Sequence, residues 1–402
     1  MVTMSRRLTA PILPQNTAMA GIAVLRALWR SALEAVDPEV LVGRWLSAHS
    51  GDPGGKRGLF ACGKAAIAMA AAARRWPCDA SLVIAPDGTE RPRWFSGEFR
   101  LGAHPEPDRS SVAAARAALS FFERFEAGDS ILALVSGGAS SLLCLPRPGT
   151  TLAEKRARIR RATRAGLPIE RVNLLRTSLS AVKGGRLAEA TAARVTTLVL
   201  SDVPGADFRL VGSGPTISRR KRDDRAILLA DNRTGIAAAA ARARREGARV
   251  SVLRRPITGE AREAGAAFAR DLRAFAARLP GPVCLLGGGE TTVAMGRRSG
   301  RGGRNLEFAL GAALEIDGDE RLSILAAGSD GVDGNSDAAG AYVTGATISR
   351  ARRDGIDAAA ILERHDSERF FDRAGGALRT GATGTNVADW MFGLASPRGG
   401  RR

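Results

Sequence analysis

Short apolar runs that end in Gly, Ser or Asp recur along this chain, and alanine-rich stretches of helical period follow several of them. The clearest runs are GLFACGK leading into AAIAMAAAARR (58–75), SILALVSGG into ASSLL (130–143), VTTLVLSDVPG (195–205), PVCLLGGGETT (282–292) and LSILAAGSDGVDG (322–334). SLVIAPDG (81–88) and ARVSVLRR (248–255) are weaker strand candidates. Helical periodicity marks 20–36, 110–128, 234–247 and 258–280. Apolar runs of this length bounded by turn residues predict buried strands, and apolar residues at three- and four-residue spacing predict helices. Strands alternating with helices of ten or more residues predict an α/β fold with a largely parallel sheet covered on both faces. The helical piece at 257–279, closing in LPGP, is the best candidate for a boundary between halves. In such sheets ligands sit beyond the carboxyl ends of the strands, where this chain collects its Gly, Ser, Asp and Lys.

Composition narrows the class. At roughly 100–200 residues per domain, 402 residues predict two domains. The chain is 45% apolar, which excludes extensive disorder, and no apolar run approaches the roughly 20 residues that span a bilayer. The four cysteines, Cys62, Cys78, Cys144 and Cys284, lie far apart and form no C-x-x-C, which argues against a disulfide framework or a zinc site. Residues 1–21 carry Pro, Gln and Asn where a signal peptide needs an unbroken apolar region. The chain therefore reads as cytoplasmic. Sixty Lys and Arg against forty-one Asp and Glu give a net charge of +19, concentrated locally at 155–164 and 218–225. Nucleic acid is a disfavoured partner, because a base-stacking platform needs aromatics among the cations and there is a single Tyr here.

Several turns carry candidate chemistry. Lys64 follows Gly63 at a strand-to-helix turn, where a cation can add to the anion-binding field of a helix N-terminus. Ser136, Gly137, Gly138 and Ser140 follow SILALV, and Gly288, Gly289 and Glu290 follow VCLL; consecutive glycines let backbone N–H groups approach a phosphate. Neither turn completes G-x-G-x-x-G with its downstream acid, so a dinucleotide fold is disfavoured. Asp202 closes one strand, and Asp330 and Asp333 crowd GSDGVDGNSDAAG; oxygen-only ligands suit Mg²⁺ held partly by phosphates. Arg301 and Arg304 sit on a glycine framework ahead of LEFALGAALE, with Asn305 a candidate cap for that helix. Lys183, in KGGR, has the same flavour. His104 lies in the rigid turn GAHPEPD. With three His and no G-x-S-x-G, acyl and redox chemistry lack their usual apparatus, whereas phosphoryl transfer needs mainly positioning, cations and a metal.

Together these motifs resemble the glycerate 2-kinases that carry a C-terminal MOFRL domain, a family also named for hydroxypyruvate reductase. The resemblance rests on ALWRSALEAVDP, CGKAAIAMA, AHPEPD, LVSGGASSLL, LSAVKGGRLA, LSDVPG with VGSGPT, GGGETTV, GRGGRNLEFAL, GSDGVDGNSDAAGA and TGATGTNVAD, in that order from about residue 22 to 392. It implies two α/β domains, a larger Rossmann-like one at 17–265 and a smaller MOFRL domain at 280–395, with the active site in the cleft between them. It also implies ATP-dependent phosphorylation of the 2-hydroxyl of D-glycerate, or of a closely related hydroxy acid, with a divalent metal; a homodimer is among the assemblies it allows.

Carried over residue by residue, the resemblance makes Lys64 and Arg304 catalytic and makes Asp330 or Asp333 the base that accepts the hydroxyl proton. Metal falls to Asp202 and Asp330. Nucleotide and substrate contacts fall to Ser136, Gly137, Gly138, Ser140, Lys183, Gly288, Gly289, Glu290, Arg301, Asn305 and Asn386. Family members usually read RKHLS before KGG and GGRNQE after the arginine loop. Here Thr177, Ser178 and Leu306 replace some of those polar groups, which bears on the choice of acceptor. Two rivals stand beside this reading: an NAD(P)H-dependent hydroxypyruvate reductase, and a non-catalytic polyanion binder on the same fold.

Overall fold

The apolar runs become strands. The computed structural model describes residues 18–49, 54–167, 169–205, 207–218, 220–221, 223–294 and 300–397; most of the stretch at 1–21 lies outside them. Strands β1 (Arg57–Cys62), β2 (Ala80–Pro86), β3 (Glu98–Gly102), β4 (Ser130–Ser136), β5 (Arg194–Leu200) and β6 (Arg225–Ala230) pair in parallel, in the order β3-β2-β1-β4-β5-β6. The chain runs outward from β1 to one side and from β4 to the other. The order therefore reverses between β1 and β4, and the crevice at such a switch point is the usual ligand position. Helix Arg109–Phe122 covers one face, with Phe121 and Phe122 packed against Phe60 at ring-centroid distances of 6.3 and 5.2 Å.

The second sheet departs from the expected parallel arrangement. Strands β7 (Arg249–Val252), β8 (Val283–Gly289), β9 (Leu322–Gly328), β10 (Gly340–Thr344), β11 (Ala377–Leu378) and β12 (Asp389–Ala395) take the order β11-β10-β9-β12-β8-β7. Among these described strands, β7 and β8 alone run parallel; the rest are antiparallel. For β9 and β10 the reason is connectivity. No helix intervenes between β9 and β10, and parallel neighbours need a crossover.

The two units also divide the chain differently from 17–265 and 280–395. One comprises 36–232 with 384–387. Among the described residues the other takes 18–35, 233–383 and 388–397, so the two are similar in size. Helix Ala18–Ala35 packs on β9 and β12, and a Cβ on Gly21 would lie 2.7 Å from Ser323 Oγ. The helical piece at 257–279, expected to mark a boundary between halves, is instead core: helix Ala261–Arg278 lies so close to helix Arg304–Glu315 that a Cβ on Gly265 would meet the Phe308 carbonyl oxygen at 2.1 Å. Residues 384–387 are tied into the first unit: Thr385 Oγ1 donates to the Val36 carbonyl (3.0 Å) and Asn232 Nδ2 to the Val387 carbonyl (2.8 Å). None of the described helices is long and apolar enough to cross a membrane.

Candidate active site

In the parallel unit, the carboxyl ends of β1 and β4 are stitched together. Gly63 has φ +129°, and a Cβ there would lie 2.2 Å from Ser136 Oγ and 2.6 Å from the Ser136 carbonyl oxygen, so only glycine fits. The Lys64 N–H donates to the Gly137 carbonyl (2.8 Å), and the Ala65 N–H donates to Ser136 Oγ (3.0 Å). Ser136 is fully buried, and its hydroxyl serves as the acceptor in this stitch. Lys64 itself is exposed.

The glycines of the turn are where other side chains converge. A Cβ on Gly138 (φ +84°) would sit 3.2 Å from Lys64 Cγ and 3.3 Å from the His104 ring. One on Gly137 would fall 2.0 Å from Asp202 Oδ2 and 2.5 Å from Asn386 Nδ2. Asn386 Nδ2 donates to Asp202 Oδ2 across 3.4 Å. Four chain segments thus bring Lys64, His104, Asp202 and Asn386 around one bare backbone turn at the switch point. Next to it, buried Lys183 donates to the Ser140 carbonyl and to Ser140 Oγ (2.6 Å). Burial pushes the Lys183 ammonium down to about 7, with Lys155 repelling it further.

In the other unit, Arg304 opens helix Arg304–Glu315 and makes a forked contact with Asp389, Nε to Oδ2 at 2.5 Å and Nη2 to Oδ1 at 3.2 Å; its Nη1 meets Glu290 Oε1 at 2.5 Å. Burial works against the guanidinium charge, but Asp389 and Glu290 outweigh it and push the Arg304 pKa up. A point one Cβ bond above Gly328 lies 3.2 Å from Asp330 Oδ1 and 3.3 Å from Asp389 Oδ1, which places both carboxylates at the end of β9. Asp389 is the residue the motif reading missed. It closes the quoted segment TGATGTNVAD, and its pairing with Gly289 and Gly328 in the ladder is what reveals it.

Several expected site residues have other work. Gly288 and Gly289 do not form an open phosphate loop: they lie inside β8, opposite Trp390 and Asp389. A Cβ on Gly289 would meet the Ile257 carbonyl oxygen at 2.0 Å, so close backbone packing explains that glycine. Asn305 is not the helix cap; the helix begins at Arg304, and Asn305 is buried with Nδ2 donating to Asp333 Oδ1 (3.2 Å). Asp333 takes the capping role from a distant segment, accepting from the N–H groups of Asn305 (3.0 Å) and Leu306 (2.8 Å). Arg301 stays apart from Arg304, pairing with Glu368 at 3.0 Å while mostly exposed. Among the described residues no three of His, Cys, Asp and Glu gather to hold a metal. Asp202, beside the glycine turn, fits a cation that brings phosphate ligands with it rather than one held in a protein cage.

Asp333 yields a pH prediction. Burial pushes its carboxyl up to about 7, overcoming the two backbone N–H donors. An unfolded Asp titrates near 4, so the native state holds the additional proton between about pH 4 and 7, and stability falls as pH rises through that window. Asp333→Asn, which cannot ionise, should show a shallower fall in Tm over the same range. Equal slopes for the two proteins would contradict this.

Fold and site together define a two-domain α/β protein whose segments match two families: residues 24–245 the Domain of unknown function (DUF4147), and residues 283–389 the MOFRL family. The chain belongs to the glycerate kinase family that joins these two domains. A D-glycerate 2-kinase of Thermotoga maritima is 33% identical over 404 residues, 91% of this chain and 96% of the relative. The crystal structure of a glycerate kinase from Thermotoga maritima matches with a TM-score of 0.83 at 31% identity, covering 93% of this chain and 99% of that one. A protein of Agrobacterium vitis provisionally named hydroxypyruvate reductase is 35% identical over 411 residues, 91% of this chain and 92% of its own.

Proposed function

We propose that this chain transfers the γ-phosphoryl group of ATP to the 2-hydroxyl of D-glycerate. It is a phosphotransferase with an alcohol acceptor, acting on a small hydroxy acid, and the cytoplasm is its natural setting. The observation that carries the reading is the meeting of Lys64, Asp202 and Asn386 around the Ser136–Gly138 turn at the switch point.

In phosphoryl transfer the protein contributes positioning and charge stabilisation more than covalent chemistry. Gly137 and Gly138 carry no side chain where Asp202, Asn386, Lys64 and His104 crowd in, so the turn leaves its backbone bare to a phosphate. Lys64 supplies an exposed positive charge for the substrate carboxylate or the transferred group. Asp202 would hold Mg²⁺, which when bound supplies neutralising charge to the nucleotide phosphates. Asn386 orients Asp202 through its amide. In the other unit Arg304 is fixed by Asp389 and Glu290, so its guanidinium is already oriented before charge develops on the transferring phosphoryl group. Asp330 is favoured over Asp333 as the base: Asp330 is half-buried, whereas both oxygens of Asp333 are committed to a helix terminus. Thr177, Ser178 and Leu306, where the family usually carries more polar groups, bear on which acceptors are discriminated.

A coupled ADP-release screen over D-glycerate, L-glycerate, glycerol and tartronate tests the reading, with D-glycerate expected to give the highest kcat/KM. Oxidation of NADH or NADPH by hydroxypyruvate, with no ADP formed from any acceptor, would replace it with the reductase reading.

A further inference from the structure

A cavity of about 400 Å³ in the parallel unit lies beside the glycine turn, walled by the Pro105–Pro107 turn, Ser140–Cys144 and one face of helix Leu152–Arg164. That helix places Lys155, Arg156, Ile159, Arg160, Thr163 and Arg164 along the cavity, the spacing of a single helical face. Arg176 and Lys183 complete a lining that holds six cations and one carboxylate, Glu106. Glu106 is half-exposed and already committed to Arg156 and Arg160.

The cations that matter most are those without an acid. Lys155 is 1% exposed, and among the described residues its Nζ has no nitrogen or oxygen partner, only the Cys144 sulfur beside it. Lys183, also 1% exposed, reaches among the described residues only the neutral oxygens of Ser140. Arg176 donates to the Asn173 amide oxygen (3.1 Å). Burial drives the pKa of all three down, and Lys155 and Lys183 repel each other. The Cys144 sulfur beside Lys155 offsets that only in part. Buried ammonium and guanidinium groups with no countercharge are costly to keep, and a bound polyanion relieves that cost for all of them at once.

We propose that this cavity is a phosphate-binding site, with Lys155 and Lys183 as its buried anchors and Arg176 and Arg164 as further contacts. A single carboxylate would leave most of this charge unmet, whereas a phosphate chain or phosphoester matches several converging cations. The phosphate comes either from the nucleotide donor or from a separate phosphorylated compound. Only the nucleotide arm rests on the kinase reading, because anion binding follows from the cavity itself.

Calorimetric titration of the full chain with inorganic tripolyphosphate at physiological salt is the test. The chain is strongly basic, so nonspecific attraction is controlled with Arg93→Met, an exposed charge elsewhere. We expect one site, weakened at least tenfold by Lys155→Met and unchanged by Arg93→Met. Lys155→Met should also raise the Tm of the ligand-free protein, since it removes an unpaired buried charge at similar volume. Arg164→Gln, an exposed position on the same helix face, should weaken binding as well and keeps the test open should Lys155→Met not fold. Competition by ATP assigns the site to the donor; competition by a phosphomonoester outside the proposed reaction, such as phenyl phosphate, but not by ATP assigns it to a separate phosphorylated compound. Tripolyphosphate affinity that is the same in wild type, Lys155→Met and Arg164→Gln would overturn the proposal, whether or not the protein turns over glycerate.

Discussion

Arg304→Lys should lower kcat by at least about 100-fold, although the charge is kept, because an arginine acting on a phosphoryl-transfer transition state is worth about 10³–10⁵ in rate. The geometry explains why lysine cannot substitute. Arg304 uses Nε and Nη2 on Asp389 and Nη1 on Glu290, an arrangement that needs a planar fork. A lysine offers one tetrahedral ammonium, so it can satisfy one of these acids while its own position is left undefined. Asp389 is almost wholly buried, and its carboxyl is already pushed up by that burial; losing the fork leaves it poorly compensated. Stability will therefore fall too, and kcat must be measured where the variant is folded. If Arg304 only braces the fold, the folded fraction will turn over at the wild-type rate.

Lys64→Met should reduce kcat/KM by about 10²–10³, the loss usual for removing one preorganised electrostatic partner. Here the melting temperature should hardly move. Lys64 is exposed, and what ties its segment to β4 is backbone, the Lys64 N–H on the Gly137 carbonyl. A variant that lost activity only in proportion to lost stability would remove Lys64 from the chemistry. The two variants thus differ in signature: Arg304→Lys costs rate and stability together, Lys64→Met rate alone.

How much of this was legible in the sequence depends on whether a residue's partner lies nearby in the chain. The strands at 57–62, 130–136, 194–200, 283–289 and 322–328 stand where apolar runs mark them, since their burial is written in local composition. Strands at 340–344 and 389–395 escaped, because Gly, Ala and Thr dominate the first and the second begins inside TGATGTNVAD, a segment that reads as site chemistry rather than as strand. Gly63-Lys64 and Ser136–Gly138 were readable as strand-end turns, but their mutual stitching was not. The convergence of Asp202 and Asn386, 184 residues apart, depends on residues 384–387 joining the first unit through Thr385 and Asn232. No local pattern encodes that. The triple glycine at 287–289 misled for a physical reason: glycine permits close approach of any backbone, and here the visitor is Ile257 rather than a phosphate. Asp333 carries the same ambiguity, since an Asp in a Gly-rich turn serves as readily for capping a distant helix as for accepting a substrate proton.

The central claim is phosphorylation of an alcohol at a defined carbon, and phosphorus NMR of the wild-type reaction with ATP, magnesium and D-glycerate reads it directly. The account predicts a new phosphoester whose phosphorus couples to the single proton on carbon 2, appearing in step with ADP. A phosphoester coupled to two protons would place the phosphate on the wrong hydroxyl, and a spectrum that shows only ATP after prolonged incubation would contradict the kinase reading itself.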